Sequence, residues 1–89
     1  MTDTQARTYV LLRAPVVPVL IVDRVADAAP LARALVAGGL PALEVTLRTP
    51  TALDTIRAMA EVEVGVVGAG TILDAAQAKA AVAAGAKFL

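Results

Sequence analysis

The chain has 89 residues, of which 58% are hydrophobic, and eight basic residues balance eight acidic ones, so the formal net charge is zero. It contains neither cysteine nor histidine, which excludes a disulfide framework, a zinc site and a Cys/His or Ser/His nucleophile. The balanced charge and the 2% aromatic content argue against a nucleic-acid surface. The mean hydropathy of +0.76 is high for so small a globule. It indicates that the strands are buried on both faces, within a larger body or an oligomer.

We expect neither a membrane span nor a secretory leader. The longest early apolar run, residues 14–22, is interrupted by two prolines and is much shorter than the ~20 apolar residues that a transmembrane helix needs. Arg13 and both prolines would fall inside the hydrophobic region of a leader, and no cleavage site follows. A cytoplasmic protein with no membrane partner is therefore the expectation.

The hydrophobic periodicity alternates between helix and strand along the whole chain. In chain order the predicted elements are a short leading helix (4–13), a strand (16–22), a helix (23–38), a strand (42–47), a helix (49–60), a strand (62–67), a helix (74–84) and the start of a fourth strand (86–89). Pro18 makes the first strand irregular. The nearly continuous apolar character of the strands predicts a parallel sheet that is covered on both faces.

Polar residues and glycines mark the predicted helix ends. Asp23 or Asp27 can cap the first of the three longer helices, and Asp74 caps the last. For the middle helix, Thr49 supplies a capping hydroxyl and Pro50 takes the first helical position. The first helix ends at a glycine pair and the last at a single glycine, which is typical of helix C-termini.

Strand starts recur about every 22 to 26 residues, as repeated strand–helix units of a parallel sheet do. This spacing fits a (β/α) barrel and fits an open doubly wound sheet almost as well. The segment 33–39 is echoed by 79–85, two units later, which favours the barrel. A closed ring takes about 250 residues. We therefore predict that residues 1–89 form a single incomplete (β/α) barrel domain.

The predicted second strand carries polar side chains on one face. Because side chains alternate along a strand, Glu44, Thr46 and Arg48 share a face, and the leucines and valine between them share the other. Buried charges cost several kcal/mol unless they are paired or face a wet cavity. We interpret this face as a functional site. An internal ion pair or a solvent-exposed face remains the alternative.

Reactive groups of parallel α/β folds lie at the C-terminal ends of the strands. Arg48 and Thr71 follow the second and third predicted strands, and Glu44 lies deeper on the face of Arg48. A carboxylate there could act as a general base, and the guanidinium could bind a substrate carboxylate or phosphate. The alternatives are a structural hydrogen-bonding role for Glu44 and a loop-exposed cation at Arg48.

The glycine-rich stretch 68–71 does not match a dinucleotide-binding loop. The position of the third glycine holds Leu73, and no acidic residue follows about 20 positions later. We predict a tight strand-to-helix turn whose glycines let a ligand approach the backbone, with the Thr71 hydroxyl as a donor. A plain turn is the alternative. The aspartates at 23, 54 and 74 are interpreted as caps or surface residues and not as a metal cluster.

Four segments together resemble the N-terminal part of the 2-keto-3-deoxy-6-phosphogluconate aldolase family, which also includes 4-hydroxy-2-oxoglutarate aldolase. They are residues 16–20, 38–49, 67–71 and 83–88, and they contain Glu-Val-Thr-Leu-Arg-Thr at 44–49 and Gly-Ala-Gly-Thr at 68–71. The resemblance implies the N-terminal portion of a TIM (β/α)8 barrel, about three βα units and the start of strand four. It also implies a cytoplasmic class I lyase of the Entner–Doudoroff pathway, a homotrimer without metal or organic cofactor. Such an enzyme cleaves a phosphorylated 2-keto-3-deoxy sugar acid to pyruvate and glyceraldehyde 3-phosphate.

The resemblance assigns roles to three residues. Glu44 matches the general acid/base, which moves protons through a water, and Arg48 and Thr71 match residues that hold the pyruvyl carboxylate. The family's Schiff-base lysine lies on strand six and its phosphate site near strands seven and eight, so neither Lys79 nor Lys87 matches the nucleophile. The chain alone is therefore expected to be inactive.

Two other hypotheses stay open, and the substrate is not resolved between a gluconate, a galactonate and hydroxyglutarate. The chain could be a catalytically inactive half-barrel that serves as a structural or assembly module. It could also belong to a different phosphate-handling (β/α) barrel, which the charged strand fits poorly. The expected partners of the favoured hypothesis are a small 2-keto acid or phosphorylated sugar acid and further copies of the chain.

Overall fold

Three parallel strands and the helices between them make up the fold in the computed structural model, which describes residues 2, 4–6, 8, 10, 16–62 and 65–89. In chain order the elements are β1 (Val19–Leu20), a 3₁₀ turn (Val25–Asp27), α1 (Ala28–Ala37), β2 (Ala42–Thr46), α2 (Ala52–Ala60), β3 (Val66–Gly70) and α3 (Ala75–Ala84). Of the predicted leading helix, residues 4–6, 8 and 10 are helical. The rest of that predicted helix lies outside the described residues.

The strands lie side by side in chain order, β1-β2-β3, and each is parallel to its neighbour. Val19 of β1 pairs with Glu44 of β2, and Thr46 of β2 pairs with Gly70 of β3. A parallel connection needs a crossover, and α1 and α2 supply the two crossovers. The predicted parallel α/β architecture is confirmed.

One face of the sheet packs against the helices. Leu43 and Val45 of β2 are almost fully buried and share a single core with Ile56 and Met59 of α2. Because side chains alternate along a strand, the residues between them point to the opposite face. Burial of each such aliphatic side chain contributes roughly 1.5–3 kcal/mol, so this face holds the helices in place.

The segment after α3 continues the sheet along the free edge of β3. The Lys87 amide donates to the Val67 carbonyl at 2.8 Å, and the Ala69 amide donates to the Phe88 carbonyl at 3.0 Å. These bonds lie where a fourth parallel strand would pair. Residues 86–89 are not assigned as a strand, so the predicted start of strand four is represented by these two bonds alone.

β1 is shorter than the predicted strand 16–22. The ladder to β2 begins where the Glu44 amide donates to the Pro18 carbonyl at 3.0 Å, and Val19 and Leu20 complete it. Proline has no N–H to donate, so residues before it gain little from this pairing. Val16 therefore lies outside the strand and is exposed.

The third strand was predicted too early. It spans Val66–Gly70 instead of 62–67, of which 63 and 64 lie outside the described residues, and Gly68 and Gly70 are strand residues and not a turn. Glycine is weakly disfavoured in strand interiors. Here its backbone pairs along β2, and the space above the two glycines is occupied by side chains from elsewhere in the chain.

Helix starts differ from the predictions in two places. α2 begins at Ala52, and Thr51, not Thr49, occupies its N-cap position without a side-chain capping bond. Asp27 precedes α1 but likewise makes no capping bond. Asp74 caps α3 as predicted, since its carboxylate accepts from the Gln77 amide at 2.8 Å.

The C-terminal ends agree better with the sequence. α3 ends at Gly85, which adopts the left-handed conformation with φ 116°. α1 ends at Gly38 as predicted. On α2, Ile56 and Met59 are buried, whereas Ala60 at the end of the helix is exposed.

Thr55 provides a test of the packing of α2. Its side chain is fully buried, and its hydroxyl has no hydrogen-bond partner among the described residues. Thr55→Val replaces the hydroxyl by a methyl of the same shape, so we expect the free energy of unfolding to rise by about 1 kcal/mol. Urea unfolding followed by circular dichroism would measure this free energy.

Thr55→Ala is the control for this substitution. It removes the hydroxyl and also a methyl group, and the cavity that it leaves should cancel the gain. A lower midpoint for Thr55→Val would show that the hydroxyl is satisfied.

Candidate active site

The face of the sheet opposite the helices carries Glu44 and Thr46 on β2 and Gly68 and Gly70 on β3. Glu44 pairs with Gly68 and Thr46 with Gly70, so the four residues form two adjacent rows on one side of the sheet. We call this side the inner face. As the alternation of side chains predicted, Glu44 lies on the face opposite Leu43 and Val45, which pack against α2.

The Glu44 side chain is half-buried and crosses from β2 to β3. A Cβ atom at position 70 would lie 2.8 Å from its Cδ and 3.0 Å from both Oε1 and Oε2. The ion pairs among the described residues are Arg24–Asp27 and Arg57–Asp54, and neither includes Glu44. The internal ion pair considered as an alternative is therefore not found in this part of the chain.

Arg48 and Thr71 leave the sheet at the same edge. The Leu47 amide donates to the Gly70 carbonyl at 3.0 Å, which extends the ladder by one bond beyond β2. Arg48 follows Leu47 directly, and Thr71 follows Gly70 directly. Arg48 is exposed and Thr71 is half-buried. Both lie just beyond the C-terminal ends of their strands, next to the Thr46–Gly70 pair. The Glu44 carboxylate lies over Gly70 of this pair.

Thr71 has an unusual backbone conformation. Its φ is 56°, and within the described residues it is the one non-glycine residue with a positive φ. A β-branched residue is strained there by roughly 1–3 kcal/mol. Such strain concentrates at ligand sites, and it fixes the direction in which the chain leaves β3 and thereby places the Thr71 hydroxyl.

Two hydroxyls connect the loop that carries Arg48 to the segment after β1: one bonds to that segment, and the other bonds to the first. The Thr51 hydroxyl donates to the Val22 carbonyl at 2.9 Å, and Thr49 Oγ1 lies 3.0 Å from Thr51 Oγ1. A carbonyl can only accept, so the single proton of Thr51 goes to Val22, and Thr49 must donate to Thr51. The Thr51 hydroxyl makes no capping bond to α2, and its bond to Val22 restrains the loop after β2.

Phe88 also reaches the inner face, which the sequence did not indicate. Its ring lies so close to the Cα of Gly68 that a Cβ there would collide with it. Phe88 is half-buried, whereas its neighbour Lys87 is exposed, as is Lys79 on α3. The available signal was the spacing of Gly68 and Gly70, two residues apart on one strand face, which indicates that something approaches closely there.

Neither a metal-binding cluster nor a membrane-spanning helix is found within the described ranges. No group of three or more acidic side chains is placed to hold a metal ion. None of the helices in this part of the chain combines the length and the hydropathy needed to cross a membrane.

The site brings together three kinds of side chain. Glu44 offers a carboxylate on the inner face, Arg48 offers a cation at the edge, and Thr71 offers a hydroxyl beside Gly70. A carboxylate can transfer protons, and a guanidinium and a hydroxyl can hold an anionic small molecule. Glu44 lies on β2, and Arg48 and Thr71 follow the C-terminal ends of β2 and β3. Their roles remain predictions.

The family model described as "KDPG and KHG aldolase" matches residues 8–89. A 2-dehydro-3-deoxy-phosphogluconate aldolase from Zymomonas mobilis is 57% identical over 79 residues, which are 89% of this chain and 38% of the relative. The chain therefore spans about two fifths of the length of the curated relatives it matches.

Two crystal structures show the same fold. The 2-keto-3-deoxy-6-phosphogluconate aldolase of Zymomonas mobilis with 3-phosphoglycerate is 51% identical and superposes with a TM-score of 0.88 over 98% of this chain and 42% of the neighbour. The KDPG aldolase from Legionella pneumophila, with pyruvate captured at low pH as a covalent carbinolamine intermediate, is 44% identical. Its TM-score is 0.80, over 86% of this chain and 38% of the neighbour. The chain belongs to the KDPG and KHG aldolase family, and its strands and helices match the N-terminal part of that family's TIM barrel.

Proposed function

We propose that the protein to which this chain contributes is a class I aldolase that cleaves 2-keto-3-deoxy-6-phosphogluconate to pyruvate and glyceraldehyde 3-phosphate. The observation that carries this proposal is the Glu44 carboxylate on the inner face, free of ion pairs among the described residues. The pyruvate carbinolamine held by the Legionella pneumophila relative supports the same chemistry. The Schiff-base lysine would lie outside this chain, since Lys79 and Lys87 are both exposed.

Glu44 would move protons through a bound water. A lysine amine adds to the C2 carbonyl of the substrate, and the carbinolamine hydroxyl must gain a proton to leave as water. Cleavage of the C3–C4 bond needs a base for the C4 hydroxyl proton, and the resulting enamine then needs a proton at its carbon. One carboxylate that alternates between acid and base can serve these steps in sequence.

Arg48 and Thr71 would hold the carboxylate of the substrate. A guanidinium binds a carboxylate through two parallel hydrogen bonds, and the Thr71 hydroxyl adds a third donor from the neighbouring strand end. The two donors lie on strands joined by the Leu47–Gly70 bond, so the substrate would span β2 and β3 beside Glu44. The family name covers two substrates, and we propose the phosphorylated one.

The barrel domain, the trimer and the cytoplasmic location follow the same proposal. Residues 1–89 would form the N-terminal part of one (β/α) barrel domain, and the complete protein would assemble as a homotrimer in the cytoplasm. Light scattering of the complete protein would test the trimer. A monomer would contradict it without affecting the proposed chemistry.

A joined barrel tests the activity directly. Residues 1–89 replace the matched N-terminal part of the Zymomonas mobilis relative, so that strands from both proteins close one barrel. We expect the joined barrel to release pyruvate from the phosphorylated substrate, and borohydride with pyruvate to inactivate it. The chain alone is expected to be inactive. A folded joined barrel without activity would contradict the proposal and favour an inactive assembly module.

Glu44→Gln in the joined barrel should lower kcat by at least about 100-fold, because the amide keeps the size of the side chain but cannot accept and return the proton. Pyruvate release at saturating substrate would measure it. Glu61→Gln is the matched control, since Glu61 is exposed at the end of α2. Equal kcat values for the two variants would show that Glu44 does not transfer protons in the reaction.

Arg48→Leu should raise KM by roughly 10- to 100-fold with a smaller change in kcat, because it removes a charged donor of about 1.5–3 kcal/mol to the substrate carboxylate. Initial rates over a range of substrate concentrations would separate the two constants. Arg33→Leu is the control, since Arg33 is exposed on α1. An unchanged KM in Arg48→Leu would show that the guanidinium remains in solvent.

A further inference from the structure

We propose that Gly70 is a positioning residue: the side chain it lacks leaves the space in which the Glu44 carboxylate lies. This inference rests on the proposed function, because it concerns the acid/base group of that reaction. It starts from the contact between the two residues, in which Cδ of Glu44 would be 2.8 Å from a Cβ at position 70.

The backbone at position 70 does not require glycine. The described glycines with positive φ are Gly39 and Gly85, and Gly70 is instead a regular residue of β3 whose partner is Thr46. A strand residue with ordinary dihedrals accepts alanine, and glycine in a strand interior weakens the strand. Glycine at this position therefore matters because it leaves the space above its Cα free of a side chain.

The geometry shows how that space is used. A Cβ at position 70 would lie equally far, 3.0 Å, from both carboxylate oxygens of Glu44, and nearer to the carbon between them. The carboxyl group therefore lies across Gly70 with one face against it, and neither oxygen points at the backbone. Both oxygens are directed sideways, and the Glu44 side chain as a whole is half-buried.

Gly68 uses its space differently. It lies two residues earlier on the same face and receives the Phe88 ring. The two glycines of this strand thus make room for different groups, one for a packed ring and one for a carboxylate. The two glycines do not leave β3 loosely packed, since Gly68 and Ala69 are both buried.

Alanine at position 70 would displace the carboxylate more than the strand. Cδ must retreat by roughly 1 Å to reach an ordinary carbon–carbon separation of about 3.5–4 Å. The carboxyl group is the end of a flexible side chain, so rotation about its bonds absorbs this shift at little cost. A displacement of about 1 Å at a reacting group can lower the rate by about 100-fold.

Kinetics of the joined barrel test this role. Gly70→Ala is expected to lower kcat by about 100-fold with KM changed by less than about threefold. The same substitution in a Glu44→Gln background is expected to cause no further loss, because the group it displaces is already inactive. Gly38→Ala is the control, since Gly38 has an ordinary φ of −80° and lies at the end of α1, on the helix side.

A spectroscopic measurement on the joined barrel that does not depend on activity keeps this inference separate from the proposed function. With glutamate labelled by ¹³C at the carboxyl carbon, Gly70→Ala should shift the Glu44 resonance and leave that of Glu61 unchanged. If the joined barrel is inactive but the Glu44 resonance shifts, the proposed function fails and the positioning contact stands. The inference is overturned if Gly70→Ala retains kcat within twofold, or if it lowers kcat equally in the Glu44→Gln background.

Discussion

The contact between the Glu44 carboxylate and the Cα of Gly70 depends on the pairing of β2 with β3. In that register Glu44 stands beside Gly68 and one row below Gly70, so its side chain can cross to the next strand and lie over a residue without a side chain. A shift of one residue would place Glu44 beside a side chain of the core face. The parallel register thus determines whether the carboxylate has a place on the inner face.

The register is in turn maintained by the opposite face. Leu43 and Val45 alternate with Glu44 and Thr46, and their burial against α2 fixes which side of β2 points inward. Hydrophobic burial on the helix side stabilises the sheet, so the inner face can carry polar groups without loss of this burial. A half-buried carboxylate is tolerated there because it keeps access to solvent.

The strand ends are fixed by local polar contacts. The bond from Thr51 to the Val22 carbonyl restrains the loop after β2, and the strained φ of Thr71 sets the start of the segment after β3. Both features lie at the edge where Arg48 leaves the sheet. The positive φ of Thr71 is a strained conformation for a β-branched residue. Each feature restricts the conformations of a segment that carries a residue proposed to bind the substrate carboxylate.

The sequence by itself determined the parallel arrangement of the strands, the helix ends at Asp74 and Gly85, and the shared face of Glu44 and Thr46. Each of these depends on periodicity or on capping chemistry within a few residues. Only the tertiary structure decided that β3 runs through Gly68 and Gly70, that Phe88 reaches the inner face, and that Thr51 bonds to the Val22 carbonyl after β1. The physical reason is that the local preferences of glycine for turns and of threonine for helix caps can be overridden by pairing and side-chain contacts with distant parts of the chain.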